Sequence, residues 1–530
     1  MTFSSVLYAS LLYAVCAQSL SAAVPSPTAP IVDLGYAEYQ GTVNHTTSIT
    51  SFLGVRYAAP ATGSLRFHAP TAPSKVAAVQ SANTNPPACF QGALGRQNIT
   101  NPVAARNDTP QSEDCLFLSV YTPNMTPKQN LPVIVWIHGG GYITGSAGDY
   151  NGADIVQQSN NTVVVVVLQY RLGLFGFLAG NQVKAGGALN AGLLDQQFAL
   201  QWVNANIEKF GGNPLKVTVW GESAGAGSAI LHMIANSGKT SPPLFRAIMT
   251  SSTFMPSQYN YDDPIPETLF NAVAAQAGFQ ASNLNCLRAV DSATLATINF
   301  NVITADLGGT FTFVPVVDGT FIATTPSEAL SLGRINKASL FMVTNSNEGF
   351  IFTPQVDIDV ATYVQGLFPL MSTAQAHKVA LAYASLGTAA AQITAIYAES
   401  ILLCPTYTLL ETFAGQAFKG EMAVPPGFHG EDILYYFPDF TALISAEPFD
   451  NAGFATAFSQ GFVSFAANLD PNLKLRSSLT PLWSKWSPLV PVEMVFNETD
   501  NKPFIAPAKT SPALLTRCRV WQSLHNVVAQ

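Results

Sequence analysis

The chain has 530 residues, of which 48% are apolar and only 11% charged, with a net charge of −8. So much core material with so little charge excludes an intrinsically disordered chain. The acidic balance, without any lysine or arginine run, argues against nucleic acid or an anionic membrane as a partner.

In chain order, the first element is the apolar run VLYASLLYAVCA (6–17), which has signal-peptide length and is too short to span a bilayer. Small residues offer cleavage after Ala17 or after Ala23, so residues 1–23 are expected to be removed. The run lacks a basic flank, the first basic side chain being Arg56, and a buried N-terminal strand or helix is the alternative. Six Asn-x-Ser/Thr sequons, at Asn44, Asn98, Asn107, Asn124, Asn160 and Asn497, agree with a secreted, extracellular chain. If Cys16 leaves with the leader, Cys89, Cys115, Cys286, Cys404 and Cys518 remain, an odd number that leaves one thiol free or paired with another chain. None has the close spacing of zinc ligands, so no metal or cofactor is expected.

Apolar runs of strand length follow at 131–137, 162–168, 216–220, 245–252 and 338–344. They are continuous instead of alternating, which predicts strands buried on both faces in a mostly parallel sheet. Helical periodicity lies between them, at 192–210 and 266–279. Strand alternating with helix means an α/β fold. No repeat or linker divides residues 24–530, which read as one domain with long insertions after residue 255.

The strand at 216–220 runs into Gly221-Glu222-Ser223-Ala224-Gly225 and then the apolar AGSAILHMI. Strand, tight turn and helix around Gly-x-Ser-x-Gly form the context of a nucleophile elbow, in which only small neighbours leave room for a strained serine. A serine at its free pKa is a poor nucleophile, so a base, an acid and an oxyanion hole must exist elsewhere. The strand at 131–137 ends in HisGlyGlyGly, whose unobstructed N–H groups at Gly140 and Gly141, with that of Ala224, suit such a hole. A phosphate-cradling loop would need a Lys-Ser/Thr pair that is absent here.

Four histidines follow Ser223. His232 lies on the helix behind the turn, His377 in a helical segment and His525 near the end of the chain. His429, in the Pro/Gly loop VPPGFHGED before a strand-like run, is the best candidate base. For the acid, Glu348 in NSNEG and Asp318 in PVVDG both fit, and pattern alone leaves the choice open.

These residues sit in longer motifs. FLGVRYAAPATGSLRF (52–67), SEDCLFLSVYTP (112–123) and FGGNPLKVTVWGESAGAGS (210–228) resemble, in order, those of the type-B carboxylesterase/lipase family of α/β-hydrolases. The resemblance implies a Ser223-His429-Glu348 triad, because NSNEG and GFHGED match the family's acid and histidine motifs. It also implies a site-tuning role for Glu222, disulfides Cys89–Cys115 and Cys404–Cys518, and a free, buried thiol at Cys286. In the chain-entropy treatment, closing the loop at Cys89–Cys115 contributes about 3 kcal/mol.

The implied activity is hydrolysis of carboxylic esters. The 25 residues between Cys89 and Cys115 are polar and carry two sequons, reading as a short rim instead of an amphipathic lid. None of the six tryptophans lies there, which argues against a quaternary ammonium substrate. Phenylalanines in GTFTFVP (309–315) and GFIFTP (349–354) fall where relatives line the acyl pocket, most of them as core. Together these favour a broad esterase or lipase on apolar acyl esters, including lipid or sterol esters, with possible contact to a lipid interface. A feruloyl-type esterase on plant cell-wall esters is the enzymatic alternative. A catalytically silent adhesion protein, known among such relatives, fits poorly because every expected site residue is present.

Overall fold

Five valine and leucine side chains in a row, Val164–Leu168, point alternately into two separate cores. Val164, Val166 and Leu168 enter one cluster, Val165 and Val167 the other. That is the physical meaning of an unbroken apolar run: a strand covered on both faces. The structure, a computed structural model, describes residues 29–95, 110–123, 125, 130–279, 283–356, 358–440 and 448–530. Residues 1–23, expected as a leader, and the sequons at Asn98, Asn107 and Asn124 lie outside the described residues.

The central sheet has eleven strands. In chain order they are β1 (Thr42–Asn44), β2 (Ile49–Arg56), β3 (Phe117–Pro123), β4 (Leu131–Ile137), β5 (Val164–Leu168) and β6 (Gly212–Glu222), then β7 (Ala247–Ser251), β8 (Ser339–Asn345), β9 (Phe418–Met422), β10 (Val492–Thr499) and β11 (Lys502–Lys509). Their spatial order is β11-β10-β9-β8-β7-β6-β4-β5-β3-β2-β1. The six pairings from β5 across to β10 are all parallel, and the pairs outside them are antiparallel. This is an α/β-hydrolase sheet. The five runs read from sequence coincide with β4 to β8, although β6 extends to Glu222, two residues beyond its apolar run.

The chain goes from β4 outward to β5 and then returns to the other side of β4 as β6. Strand order reverses there, and in open α/β sheets a crevice opens at such a reversal beyond the carboxyl ends of the strands. Two helices frame it: α1 (Ala191–Asn206), continued by a 3₁₀ turn at Ile207–Phe210, and α2 (Ala224–Gly238), which starts directly after Ser223. The helical stretch Ala389–Thr412 is long and apolar enough to cross a membrane, but most of its apolar part is buried inside the fold.

Both disulfides, Cys89–Cys115 and Cys404–Cys518, are formed. Cys286 is free, as expected, but it is half-buried instead of buried. It sits on the short helix Leu284–Ala289, which buries Leu284 and Leu287 and turns the intervening thiol to the flank.

Candidate active site

The elbow follows from sterics. Ser223 adopts φ 54° and ψ −121°, a conformation that costs a non-glycine residue energy and persists only when its surroundings enforce it. They do: its N–H donates to the Ser251 carbonyl at 2.9 Å, and its carbonyl accepts from Gly227 N at 2.9 Å. A Cβ at Gly221 would collide with the Gly225 backbone, and one at Gly225 with the Ile137 carbonyl, so both glycines are obligatory. The serine thus caps α2, whose N-terminal partial positive charge favours negative charge developing above it.

β4 delivers the facing loop. Gly140 (φ 96°) and Gly141 (φ 61°) make a turn in which the Gly140 carbonyl accepts from Ile143 N and Thr144 N, both at 3.0 Å. The Gly140, Gly141 and Ala224 N–H groups donate no hydrogen bond to any described residue and remain available to an external acceptor.

Glu348 follows β8 and His429 follows β9, so both arrive at the same edge of the sheet. His429 Nδ1 lies 2.6 Å from Glu348 Oε2. The other Glu348 oxygen accepts from Ser252 Oγ at 2.6 Å and from the Asn345 N–H at 2.8 Å. Asn345 in turn donates from Nδ2 to Asp432 Oδ1 at 2.9 Å, and the Tyr436 hydroxyl donates to Asp432 Oδ2 at 3.0 Å. On its far side, His429 Nε2 lies 3.2 Å from Glu222 Oε1 and makes no hydrogen bond. With Nδ1 held by a carboxylate, Nε2 is the nitrogen free to accept a proton.

Four buried ionisable groups, Glu222, Glu348, His429 and Asp432, lie together here. Burial alone would lower the His429 pKa, but Glu222, Glu348 and Asp432 outweigh it and raise it. Burial pushes the Glu222 carboxyl up while His429 opposes, and Asp432 and Glu348 add to the rise. Burial likewise raises Asp432, against the hydrogen bond from Asn345.

The competing candidates have other occupations. Asp318 is buried, accepting from Asn190 Nδ2 at 2.7 Å and from the Thr320 and Ile322 N–H groups, which makes it the hub of a turn. His232 is within 3.0 Å of Gln196 Oε1, and burial lowers its pKa to about 3. His377 is exposed on the helix Thr373–Tyr383, and His525 Nδ1 contacts the Gln522 carbonyl at 2.8 Å. The run after His429 is a 3₁₀ helix, Glu431–Tyr435, and not a strand. Sequence reading passed over Ser252, Asn345 and Asp432, whose connections span up to 96 positions and leave no local pattern.

A serine on the turn after a central parallel strand, a glycine-rich loop after its neighbour and a His–Glu pair from later strands define an α/β-hydrolase. Residues 28–514 match the Carboxylesterase family, and the chain belongs to it. It is 29% identical to carboxylesterase patB of Aspergillus clavatus, over 94% of this chain and 96% of that one. Lipase 4 of Diutina rugosa is 31% identical, over 82% and 86%. The solved structure of Aspergillus niger EstA superposes with a TM-score of 0.85 at 29% identity, covering 95% of this chain and 99% of the other. The protein is a carboxylic ester hydrolase.

Proposed function

We propose that the protein is a secreted serine esterase of apolar acyl esters, with Ser223 as nucleophile, His429 as base and Glu348 as the orienting acid. The observation that carries this reading is the 2.6 Å contact between His429 Nδ1 and Glu348 Oε2, and the strained backbone of Ser223 at φ 54° supports it. His429 Nε2 takes the Ser223 proton as Oγ attacks the ester carbonyl. Glu348 holds the tautomer and stabilises the imidazolium, while Gly140, Gly141 and Ala224 N–H groups receive the developing oxyanion. The alcohol leaves with the proton returned by His429, and water releases the acyl group by the same route.

Support for the substrate class comes from a cavity of about 480 Å³, within the roughly 300–1,000 Å³ common for ligand pockets. Phe254, Phe311, Phe313, Leu269 and Phe368 supply much of its wall. Ser223, Glu348 and His429 do not line it, and a row of packed rings runs from its wall to the histidine: Phe311 is 5.1 Å from Phe254 and 5.8 Å from Phe352, which stands 5.0 Å from the His429 ring. Phe311 also covers Gly141, where a Cβ would strike its ring. The names of the relatives, a carboxylesterase and a lipase, agree with an apolar acyl group. Secretion is supported by the leader-like run, by two disulfides and by exposed sequons at Asn44 and Asn160, whereas Asn497 is half-buried.

An alkyl phosphonate tests the reading. Peptide mapping is expected to find the adduct on Ser223, and Ser223→Ala is expected to lower kcat by about 10⁶, the scale seen when a triad serine is removed. Near wild-type turnover in Ser223→Ala would remove the assignment.

A further inference from the structure

The loop that carries Gly140 and Gly141 does not hold its own shape. Gly140, Gly141, Tyr142 and Gly145 all have positive φ, between 61° and 105°, and for an aromatic residue such as Tyr142 this is an outlier. Internal bonding amounts to two N–H groups on the Gly140 carbonyl and a 2.9 Å contact of His138 Nδ1 with the Gly139 carbonyl. Such a conformation must be enforced from outside.

We propose that Gln91 is a positioning residue for the oxyanion loop, fixing Gly140 and Gly141 through Thr144 and Gly145. This rests on the assignment of that loop as the oxyanion hole. Both ends of the Gln91 amide are fully engaged there. Oε1 accepts from Thr144 Oγ1 at 2.7 Å and from Gly145 N at 2.6 Å. Nε2 donates to the Gly145 carbonyl at 3.1 Å and to the Cys89 carbonyl at 2.7 Å. The amide therefore grips Gly145 by its N–H and its carbonyl, and the last bond ties that grip to a cysteine of the first disulfide. The next residue reinforces it, Gly92 N donating to the Ile143 carbonyl at 2.6 Å.

The backbone of Gln91 is itself immobilised. Its N–H donates to Gln111 Oε1 at 3.0 Å and its carbonyl accepts from Asn299 Nδ2 at 3.3 Å. Asn299 Oδ1 accepts from Leu174 N at 2.8 Å, and the neighbouring Gly173 N donates to the Tyr142 carbonyl at 2.8 Å. The loop is thus held from two directions, and Gln91 supplies the side-chain grip on its far arm. Gln91 touches no reacting atom. Its effect is on where two N–H groups point when the oxyanion forms, so it is expressed in the transition state and not in substrate binding.

The test compares wild type, Gln91→Met and Gln91→Glu. Methionine keeps the length and loses all four side-chain bonds, while glutamate keeps the acceptor for Thr144 and Gly145 and loses the donor. Rates are measured on p-nitrophenyl butyrate, and affinity is measured for a trifluoromethyl ketone, which forms a tetrahedral adduct on the serine. Gln91→Met is expected to lower kcat roughly 10–10²-fold, since misdirecting oxyanion donors costs on that order. KM is expected to stay within about twofold, and the ketone to lose affinity by the same factor as kcat. Gln91→Glu is expected to recover much of the loss. Wild-type kcat in Gln91→Met overturns the inference, as do equal losses in both variants with KM moving alongside. A wild type that neither hydrolyses the ester nor takes a phosphonate on Ser223 overturns the underlying assignment and the inference with it.

Discussion

Glu222 and His429 face one another across 3.2 Å, Oε1 to Nε2, on the side of the imidazole opposite Glu348. One ring is therefore bracketed by two carboxylates, Glu348 at Nδ1 and Glu222 at Nε2, the nitrogen that the proposed mechanism makes the base. As buried partners they titrate as a pair. Glu222 raises the His429 pKa, and in the proposed mechanism His429 acts as base only when neutral. Activity is therefore expected above the histidine pKa and expected to be lost as pH falls through it. Removing the Glu222 charge lowers that pKa, so the acid limb of kcat/KM in Glu222→Gln is expected to move to lower pH. A pH–rate profile of the two proteins decides it. An unmoved or upward-moved limb would show that Glu222 does not set the histidine.

The opposite bracket depends on Ser252 and Asn345, which hold the second oxygen of Glu348. A hydrogen bond to a charged group is worth about 1.5–3 kcal/mol. Ser252→Ala frees the carboxylate to rotate away from Nδ1, and kcat is expected to fall roughly tenfold with little change in KM. Steady-state kinetics with a calorimetric check of folding suffices. A variant with unchanged kcat would mean that Asn345 alone fixes Glu348.

How much of this could be read along the chain depends on range. The elbow was legible because strand, glycines, serine and helix are contiguous, and the glycine loop was legible for the same reason. The parallel sheet followed from valine runs that serve two cores at once. Asp318 and Glu348 stayed indistinguishable by pattern, since both follow apolar runs and precede glycine; only the folded chain shows Asp318 engaged by Asn190. The stretch after His429 misled for a physical reason. Ile433, Tyr435, Tyr436 and Phe437 have strand composition, but they are apolar because a 3₁₀ turn is pressed onto Trp136 and Trp220, with Phe437 4.9 Å from the first ring and Tyr436 4.5 Å from the second. Burial dictated the residues there and backbone type did not. The brace Asn345–Asp432 joins positions 87 apart and has no one-dimensional trace.

The two disulfides should differ in worth. Their cysteines are 26 and 114 positions apart. Chain entropy assigns about 3–3.5 kcal/mol to the shorter loop and about 4.8 kcal/mol to the longer. Calorimetry of Cys89→Ala/Cys115→Ala and Cys404→Ala/Cys518→Ala is expected to show the larger drop in Tm for the second. The reverse order would mean that loosening of the oxyanion loop, and not chain entropy, dominates the first pair. Among the described cysteines, the half-buried Cys286 is the free one and is expected to react slowly with a disulfide reagent in the native protein.

The cavity makes the substrate class measurable. Ala272 lies on its wall, and a tryptophan there would occupy part of the roughly 480 Å³ without touching Ser223, Glu348 or His429. Each methylene excluded from an apolar site forfeits about 0.8 kcal/mol. Displacing the last three methylenes of an acyl chain therefore removes about 2.4 kcal/mol, or roughly 50-fold in kcat/KM. Across p-nitrophenyl esters from acetate to palmitate, Ala272→Trp is expected to leave acetate unchanged and to depress the long chains by that order. The wild type is to be followed below and above the solubility limit of each ester. A rate that jumps when aggregates form would assign a lipase whose 89–115 loop moves. A rate that saturates below the limit would assign an esterase with an open rim. Equal depression of acetate and palmitate in the variant would separate the cavity from the acyl group altogether, and feruloyl and acetyl esters would then be the substrates to compare.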